Sequence, residues 1–344
     1  MKTWKVVVLI LALLGVAAGG VGWRTWREVF GAGPSFPEGD RILLIPTGSM
    51  VDQVIDSLKA GGMITDERAF RLLAERKNYL DRVKPGRYRV SSRTSLNALV
   101  NSLRSGEQEP LDLTFTNVDD LPELAGRVSR YLEADSMAFL HAFMDRGIQQ
   151  EAGLNERNFI SLFIPNTYEI WWTTTPQQFI ARMVKEHSAF WTDERKAKAI
   201  HYGLEPWEVS TLASIVQAET MRTSDAPRIA GVYLNRLRIG MPLQADPTLK
   251  FALGLDSINR VLERDKLVNS PYNTYVNLGL PPGPINMAEP RNLDAVLNAE
   301  KHDYIYFCAK EDLSGYSNFS RTYEQHLVNA RRYQRALNAR KIYR

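Results

Sequence analysis

The first pattern along the chain is an apolar run. "VVVLILALLGVAAGGVGW" carries no charge from Val6 to Trp23, 18 residues, which is at the lower limit of about 18 for a membrane-spanning helix. Trp4 and Trp23 bracket it as interfacial anchors do. Lys2, Lys5, Arg24 and Arg27 flank it about equally, so charge asymmetry assigns no orientation. The pattern predicts a single N-terminal transmembrane helix over 1–27. A cleaved signal peptide is the alternative, because "VAA" offers a small-residue cleavage site. A lipoprotein anchor is excluded, because there is no early Cys to acylate. On either reading the rest of the chain works outside the cytoplasm.

"EVFGAGPSFPEGD" (28–40) is rich in Gly and Pro and reads as a linker. The pattern then alternates short strands with amphipathic helices. "RILLIP" (41–46) and "KPGRYRV" (84–90) read as strands. Ser49 is expected to cap a helix with Val51, Val54, Ile55 and Leu58 on one face, closed by Gly61-Gly62. Another helix follows around "DERAFRLLAERK". Ser95 is expected to cap a helix carrying Leu96, Leu99, Val100 and Leu103, closed by Gly106. The helix ends "VIDSLKAG" (54–61) and "LVNSLRSG" (99–106) resemble each other at an offset of 45 residues. Together these predict a small α+β module over 41–107 with no evident chemistry of its own, suited to binding or spacing.

A larger α+β domain is predicted over 108–338. It opens with a strand at "LDLTFTNV" (111–118), helices to about 150, and an aromatic strand-like segment "PNTYEIWW" (165–172). "TTTP" (173–176) then caps a helix, with Pro176 in its first turn. Beyond it, "LEPWEVSTLASIVQAETM" reads as helix. Leu212, Ile215 and Val216 form a stripe at i, i+3, i+4, and the i+7 position is Glu219. Gln217 falls on the opposite face with Ser210 and Ser214. Either Glu219 is a surface acid, paired with an Arg such as Arg222 or Arg228, or it is a carboxyl in an apolar wall. In the second case desolvation raises its pKa and keeps it protonated near neutrality. Such a group can hand a proton to a leaving-group oxygen.

The loops after Glu219 hold the other candidates. They include a helix capped by Asp225 and Pro227, a Gly240 stop, "QADPT" (244–248), "SPYNTYVNLGLPPGPI" (270–285) and "SNFSRTYEQH" (317–326). Asp246 is the tempting second carboxylate for glycoside cleavage, or a plain helix N-cap before Pro247. Gln244, Asn273, Tyr275 and Asn318 can hydrogen-bond sugar hydroxyls or acetamido groups, with Tyr272 or Tyr275 stacking on a ring. They can equally satisfy loop backbone. "GLPPGPI" (279–285) is stiffened by three prolines and suits a rigid groove wall.

Composition narrows the classes. The chain has 344 residues, 44% hydrophobic and 24% charged, as folded multidomain proteins do. A net charge of +4, well mixed, gives no case for nucleic acid. The basic run "ARRYQRALNARKIYR" reads as a solvated helix face. Cys308, the one cysteine, cannot form an intrachain disulfide and reads as a buried strand residue within "YIYFCA". The five histidines show no metal-ligand spacing, so neither metal nor cofactor is expected.

The series "LASIVQAET", "AGVYLNRLRIGMPLQADPT", "SPYNTYVNLGLPPGPI" and "DYIYFCA" resembles the endolytic murein transglycosylases, the YceG-like family. The likeness covers about residues 40–335 and follows the family's order of anchor, LysM-like module (41–107) and catalytic region. It implies a membrane-anchored bacterial lyase whose catalytic domain faces the periplasm or wall. Such an enzyme cuts peptidoglycan glycan strands internally between N-acetylmuramic acid and N-acetylglucosamine, leaving 1,6-anhydro ends and trimming or terminating nascent strands. Peptidoglycan synthases are partners the resemblance allows. The family's catalytic Glu precedes Thr in "IVEKET"; here it is Glu219, with Gln217 in place of the motif's earlier acid. One carboxyl suffices for that chemistry, which weakens the case for Asp246 as a catalyst and leaves it with Gln244, Asn273, Tyr275 and Asn318 as substrate-binding candidates. The chain departs from the family at "NMAEPRN", where Asn-Pro-Gly is common, and at "NFSRTYEQH", which bears on Asn318 and His326. A hydrolytic muramidase and a non-catalytic wall-binding adaptor of synthases are the competing functions.

Overall fold

The computed structural model describes Trp4, Gly15, Val16, Gly19, Gly20, Gly22, Trp23, Phe36 and residues 38–116, 118–254 and 262–340. The predicted anchor and linker lie almost wholly outside the described residues. Among the described residues no helix is long and apolar enough to cross a membrane. The chain divides into two compact units, the first of Met1–Asp112, Tyr131–Glu133 and Tyr168–Thr174, the second of Leu113–Arg130, Ala134–Thr167 and Thr175–Arg344. The first unit thus takes in two short segments from beyond the predicted 41–107 module.

In the first unit, β1 (Asp40–Ile45) pairs antiparallel with β2 (Gly86–Ser91), Leu43 opposite Tyr88. Leu43, Ile45, Tyr88 and Val90 are buried, as a period of two requires for a sheet covered on one face. Helices α1 (Val51–Ala60), α2 (Glu67–Arg76) and α3 (Leu96–Ser105) close over that face. The predicted stripes Val54, Ile55, Leu58 and Leu96, Leu99, Val100, Leu103 meet Phe70 and Tyr88 in one core. Ser95 caps α3 by accepting from the Ala98 amide at 3.2 Å, and Gly106 ends it with φ 77°. The expected Ser49 cap is not formed. Met50 holds the cap position of α1, and its own amide donates to Gln53 Oε1 at 2.8 Å.

Strands β3 (Leu111–Phe115) and β4 (Asn166–Ile170) form a second two-stranded sheet. In the second unit, α4 (Leu121–Ser129), α5 (Ser136–Phe143), α6 (Arg146–Glu151) and α7 (Pro176–Phe190) gather an aromatic core. Phe179 meets Phe139 edge-on at 5.7 Å, and Phe163 meets Phe159 at 5.5 Å. Thr175 caps α7 with Pro176 in the first turn, as the sequence predicts. After α8 (Asp193–His201) comes α9 (Pro206–Glu219), which is the centre of the unit.

Every position of α9 from Val209 to Val216 is buried, so the expected polar outer face is not solvated. A helix walled on all sides reads in sequence as weakly amphipathic, and its serines are satisfied internally. Ser214 Oγ donates to Thr211 O at 2.7 Å and accepts from the Ile285 amide at 3.0 Å. Gln217 uses both ends of its amide. Its Nε2 donates to Asn286 Oδ1 and Met287 O, and its Oε1 accepts from the Glu289 amide and Asn292 Nδ2. The stiff 279–289 segment is thereby buttoned along α9. Around this axis pack α10 (Ala226–Arg238), α11 (Asp246–Leu253) and α12 (Pro290–Leu297). A hairpin of β5 (Tyr306–Ala309) and β6 (Ser317–Ser320) then leads to α13 (Tyr323–Ala339).

Two smaller expectations change. Asp225 holds the N-cap position of α10, but its side chain makes no cap bond; its carboxylate accepts from the Ser317 amide at 2.8 Å and ties the hairpin to the start of that helix. Cys308, opposite Asn318 in the hairpin, is half-buried, and partial burial pushes its thiol pKa up. No residue of α13 is fully buried, in keeping with a solvated basic helix.

Gly283 is the tightest point of the stiff segment: a Cβ there would lie 1.9 Å from Arg157 O. Backbone cannot yield as a side chain can. Gly283→Ala is expected to destabilise the protein by about 3 kcal/mol, read as a lower denaturation midpoint. An unchanged midpoint would show that the segment is not packed this closely.

Candidate active site

The site forms where α9 ends. Thr220 turns to an extended conformation (φ −146°, ψ 138°), so Glu219 is the last helical residue. Its carboxyl sits at the negative end of the helix dipole, where an anion is disfavoured. Tyr233, one helix away on α10, is 1% exposed and donates its hydroxyl to Glu219 Oε1 at 2.8 Å. Phe307 of β5 holds the Tyr233 ring edge-on at 5.8 Å. Among the described residues Glu219 Oε2 has no hydrogen-bond partner, so it is the oxygen free to carry a proton. Glu219 keeps some contact with solvent through an opening, but protein atoms crowd its carboxyl elsewhere. That crowding pushes its pKa up to about 7. The Tyr233 hydrogen bond opposes the rise, the Asp246 charge adds to it, and Arg236 and Lys250 oppose it. The sequence's choice between a surface acid and an inward carboxyl is therefore resolved toward the inward one. Arg222 and Arg228 make no ion pair with it: Arg228 pairs with Glu300, and Arg222 donates to Ser314 O.

Asp246 and Tyr275 belong to the same constellation. Asp246 is not the N-cap of α11 but its first residue, and Ala245 holds the cap position. Its Oδ1 accepts from Tyr275 Oη at 2.5 Å. Burial and the Asp246 charge push the Tyr275 phenol far up, so it remains a donor. Lys266 Nζ lies 5.3 Å from the Tyr275 ring centroid. The two loops carrying this pair are sewn together by groups the sequence reading passed over. Thr274 Oγ1 accepts from the Ala245 amide at 3.0 Å and lies 2.9 Å from Thr248 Oγ1, and both threonines are buried. Gln244 is exposed, with φ 50° and its amide donating to Thr274 O.

Asn273 is placed differently. It is 0% exposed, its Nδ2 donates to Lys266 O and Val268 O, and its Oδ1 accepts from the Tyr275 amide. It organises the loop that presents Tyr275 and offers no free group. Asn318 sits on β6, with Nδ2 donating to Glu311 Oε2 at 2.8 Å. It is not among the residues lining the opening at Glu219. That opening is a cavity of about 590 Å³ lined by Glu219, Thr220, Met221, Arg222 and the hairpin tip Leu313, Ser314, Gly315. Arg222 fixes the tip by donating to Ser314 O at 2.6 Å while lying over the Tyr316 ring.

Tyr233 and Arg236 are functional neighbours that the sequence reading missed. A signal was present. Ile229, Tyr233 and Arg236 share one face of α10 at i, i+4, i+7, so a charge falls on an apolar face, as it does at Glu219. No group of three or more metal-ligating side chains occurs among the described residues. The arrangement holds a desolvated carboxyl at an opening lined also by Thr220, Arg222 and Ser314, with the Asp246 charge near enough to raise its pKa. It suits proton transfer to a leaving oxygen.

Residues 43–332 match the model of the family described as the YceG-like family. A Bacillus subtilis (strain 168) protein named endolytic murein transglycosylase is 30% identical over 298 residues, covering 82% of this chain and 81% of its own. A protein of the same name from Streptococcus pneumoniae (strain R6) is 29% identical over 299 residues, covering 77% of this chain and 53% of its own. The chain thus spans about half the length of the pneumococcal relative. A crystal structure of a YceG-like protein from Listeria monocytogenes shares the fold with a TM-score of 0.54 at 27% identity, over 85% of this chain and 99% of that one.

A raised carboxyl pKa carries a stability cost. Between the ordinary value of 4.5 and about 7 the folded state holds a proton that the unfolded state has lost. Stability therefore falls as pH rises through that window and stays lowered above it. Glu219→Gln keeps the acceptor for Tyr233 and removes the ionisation. It is expected to be more stable than the parent by about 3 kcal/mol at mildly alkaline pH and about equal to it at acid pH, measured by urea unfolding. Equal stability at both would mean that Glu219 ionises as a surface acid does.

Proposed function

We propose that this chain, which belongs to the YceG-like family, is an endolytic peptidoglycan lytic transglycosylase. Its substrate is the β-1,4 bond from N-acetylmuramic acid to N-acetylglucosamine within a glycan strand. The observation that carries the reading is the desolvated carboxyl of Glu219, its pKa raised to about 7, at the opening it shares with the hairpin tip. Glu219 gives its proton to the glycosidic oxygen as the bond from that oxygen to the muramoyl anomeric carbon breaks. The muramoyl C6 hydroxyl attacks the same carbon and passes its proton to the Glu219 carboxylate. The products are a free 4-hydroxyl and a 1,6-anhydro end. No water is consumed, and Glu219 is ready again. A carboxyl that must act first as acid and then as base is served by a pKa near neutrality.

Asp246, Tyr275 and Gln244 are the groups proposed to hold sugar beside Glu219. Asn273 acts one step back, by holding the Tyr275 loop. Asn318 stands at the outer hairpin and can contribute only to a strand running along it. The apolar run at 6–23 supports a single-pass anchor in the cytoplasmic membrane, with the catalytic unit toward the periplasm or wall. The module over 41–107 is then a LysM-like spacer or wall-binding element, and synthases of nascent strands are the fitting partners.

A hydrolytic reading has one observation in its favour: Asp246 is a second carboxylate close enough for its charge to raise the pKa of Glu219. In this fold one oxygen of that carboxylate accepts from Tyr275, which suits a holding role. Digestion of uncrosslinked glycan strands, read by mass spectrometry, separates the two. The wild type is expected to yield ends lighter by one water than hydrolysed ends, and Glu219→Gln to lose about 10²–10⁴ of the rate. Ends that carry the added water would assign hydrolysis. Full activity of Glu219→Gln would remove Glu219 from the chemistry.

A further inference from the structure

We infer that Arg236 is a positioning residue for Glu219: a buried guanidinium, kept one tyrosine away, that supplies the counter-charge when the carboxyl gives up its proton. The inference rests on the proposed acid–base role of Glu219 and deepens it.

Arg236 is 6% exposed. Its Nε donates to Ile305 O at 2.7 Å and its Nη1 donates to Leu243 O. Its guanidinium carbon lies 5.5 Å from the Tyr306 ring centroid and 6.0 Å from that of Tyr233. Its hydrogen bonds go to carbonyl oxygens, and among the described residues no carboxylate lies within ion-pair distance. A buried cation without a carboxylate is costly, and carbonyl dipoles and ring faces offset only part of that cost. Such a charge acts on whatever ionisable group lies nearby. Tyr233 supplies the link, because its ring lies toward Arg236 while its hydroxyl donates to Glu219 Oε1.

The separation matters. A direct Arg–carboxylate pair would hold Glu219 ionised and end its use as an acid. With Tyr233 between them, the resting carboxyl keeps its proton, while the anion formed during the reaction is favoured by the guanidinium. The other groups facing Glu219 are Tyr233 on α10, Asp246 and Lys250 on α11, and Tyr275 on the adjoining loop. Asp246 and Lys250 oppose each other in sign, and both tyrosines stay neutral. Behind Arg236, His326 of α13 stacks on Tyr306 at 5.3 Å. Burial, and then the Arg236 charge, lower the His326 pKa, which disfavours a second cation there. The Leu243 bond also fixes the loop that bears Gln244 and Asp246. A purely structural role would therefore look alike in the contacts, and only the charge distinguishes the two.

The test uses the full chain on uncrosslinked glycan strands, with kcat/KM followed against pH. In the wild type the rate falls as pH rises through the Glu219 pKa. In Arg236→Met that limb is expected to move up by about 1 pH unit, with a maximal rate at least about tenfold lower. In Arg236→Lys, where the charge remains but the paired carbonyl geometry is altered, the limb stays near its wild-type position. A folded Arg236→Met with an unmoved limb overturns the inference. If that variant does not fold, Arg236→Lys carries the test: a limb moved upward there overturns it, because bonding geometry and not charge would then set the titration. A ¹³C titration of the Glu219 carboxyl in the wild type and the folded variant reads the same coupling without turnover. Failure of the lytic reading, seen as absence of anhydro ends from the wild type, is thereby kept apart from failure of this one.

Discussion

The second unit is organised around the removal of one carboxyl from water. Glu219 stands at the C-terminal end of a helix that is buried on all sides over Val209–Val216, with Tyr233 as its sole hydrogen-bond partner among the described residues. Desolvation and the helix dipole both disfavour its anion, and a single phenol hydroxyl is too little to reverse them. The result is an acid poised near neutral pH, at a cost in stability that a surface glutamate would not impose. Functional sites commonly carry such a local penalty.

The surrounding structure makes that penalty sustainable. Gln217 and Ser214 button the 279–289 segment along α9 through bonds from both ends of one amide and from one hydroxyl. Gly283 lets that segment pass against Arg157, where no side chain could fit. Thr248 and Thr274 lock the two loops that bring Asp246 and Tyr275 together. Asp225 and Arg222 tie the hairpin to the start of α10 and to the rim of the groove. None of these groups needs to touch substrate. Each limits how far the Glu219 carboxyl and its neighbours can move or rehydrate, and placement to a fraction of an ångström is what acid–base transfer requires.

Much of this was legible in the sequence wherever local physics decides. The strands at 40–45 and 86–91, the Ser95 and Thr175 caps and the apolar stripes of α1 and α3 follow from period and capping alone. Glu219 stood out because a charge fell on an apolar stripe. The opposite face of the same helix looks solvated to a periodicity argument, yet partners about 70 residues away satisfy Ser214 and Gln217, and Ser210 donates to Pro206 O one turn back. Asp246 and Asp225 likewise look like caps locally, and their carboxylates are claimed by Tyr275 and Ser317 instead. Asn273 was singled out for its polarity, and its amide turned inward to its own loop. Tyr233 was hidden because a tyrosine on a helix reads as core until its hydroxyl is seen to face a carboxyl. Asn273 finds its partners within its own loop and Ser210 within its own helix; in the other cases the deciding partner was distant in sequence, which no local pattern records.

The central claim is that the Glu219 carboxyl is protonated near neutrality in the folded protein. Infrared difference spectroscopy of the wild type against Glu219→Gln tests it directly, through the carbonyl stretch of a protonated carboxyl. A band from one carboxylic acid is expected at mildly acidic pH, disappearing as pH passes through about 7 and missing from the variant. A Glu219 already ionised at mildly acidic pH, titrating in the ordinary carboxylate range, would contradict it.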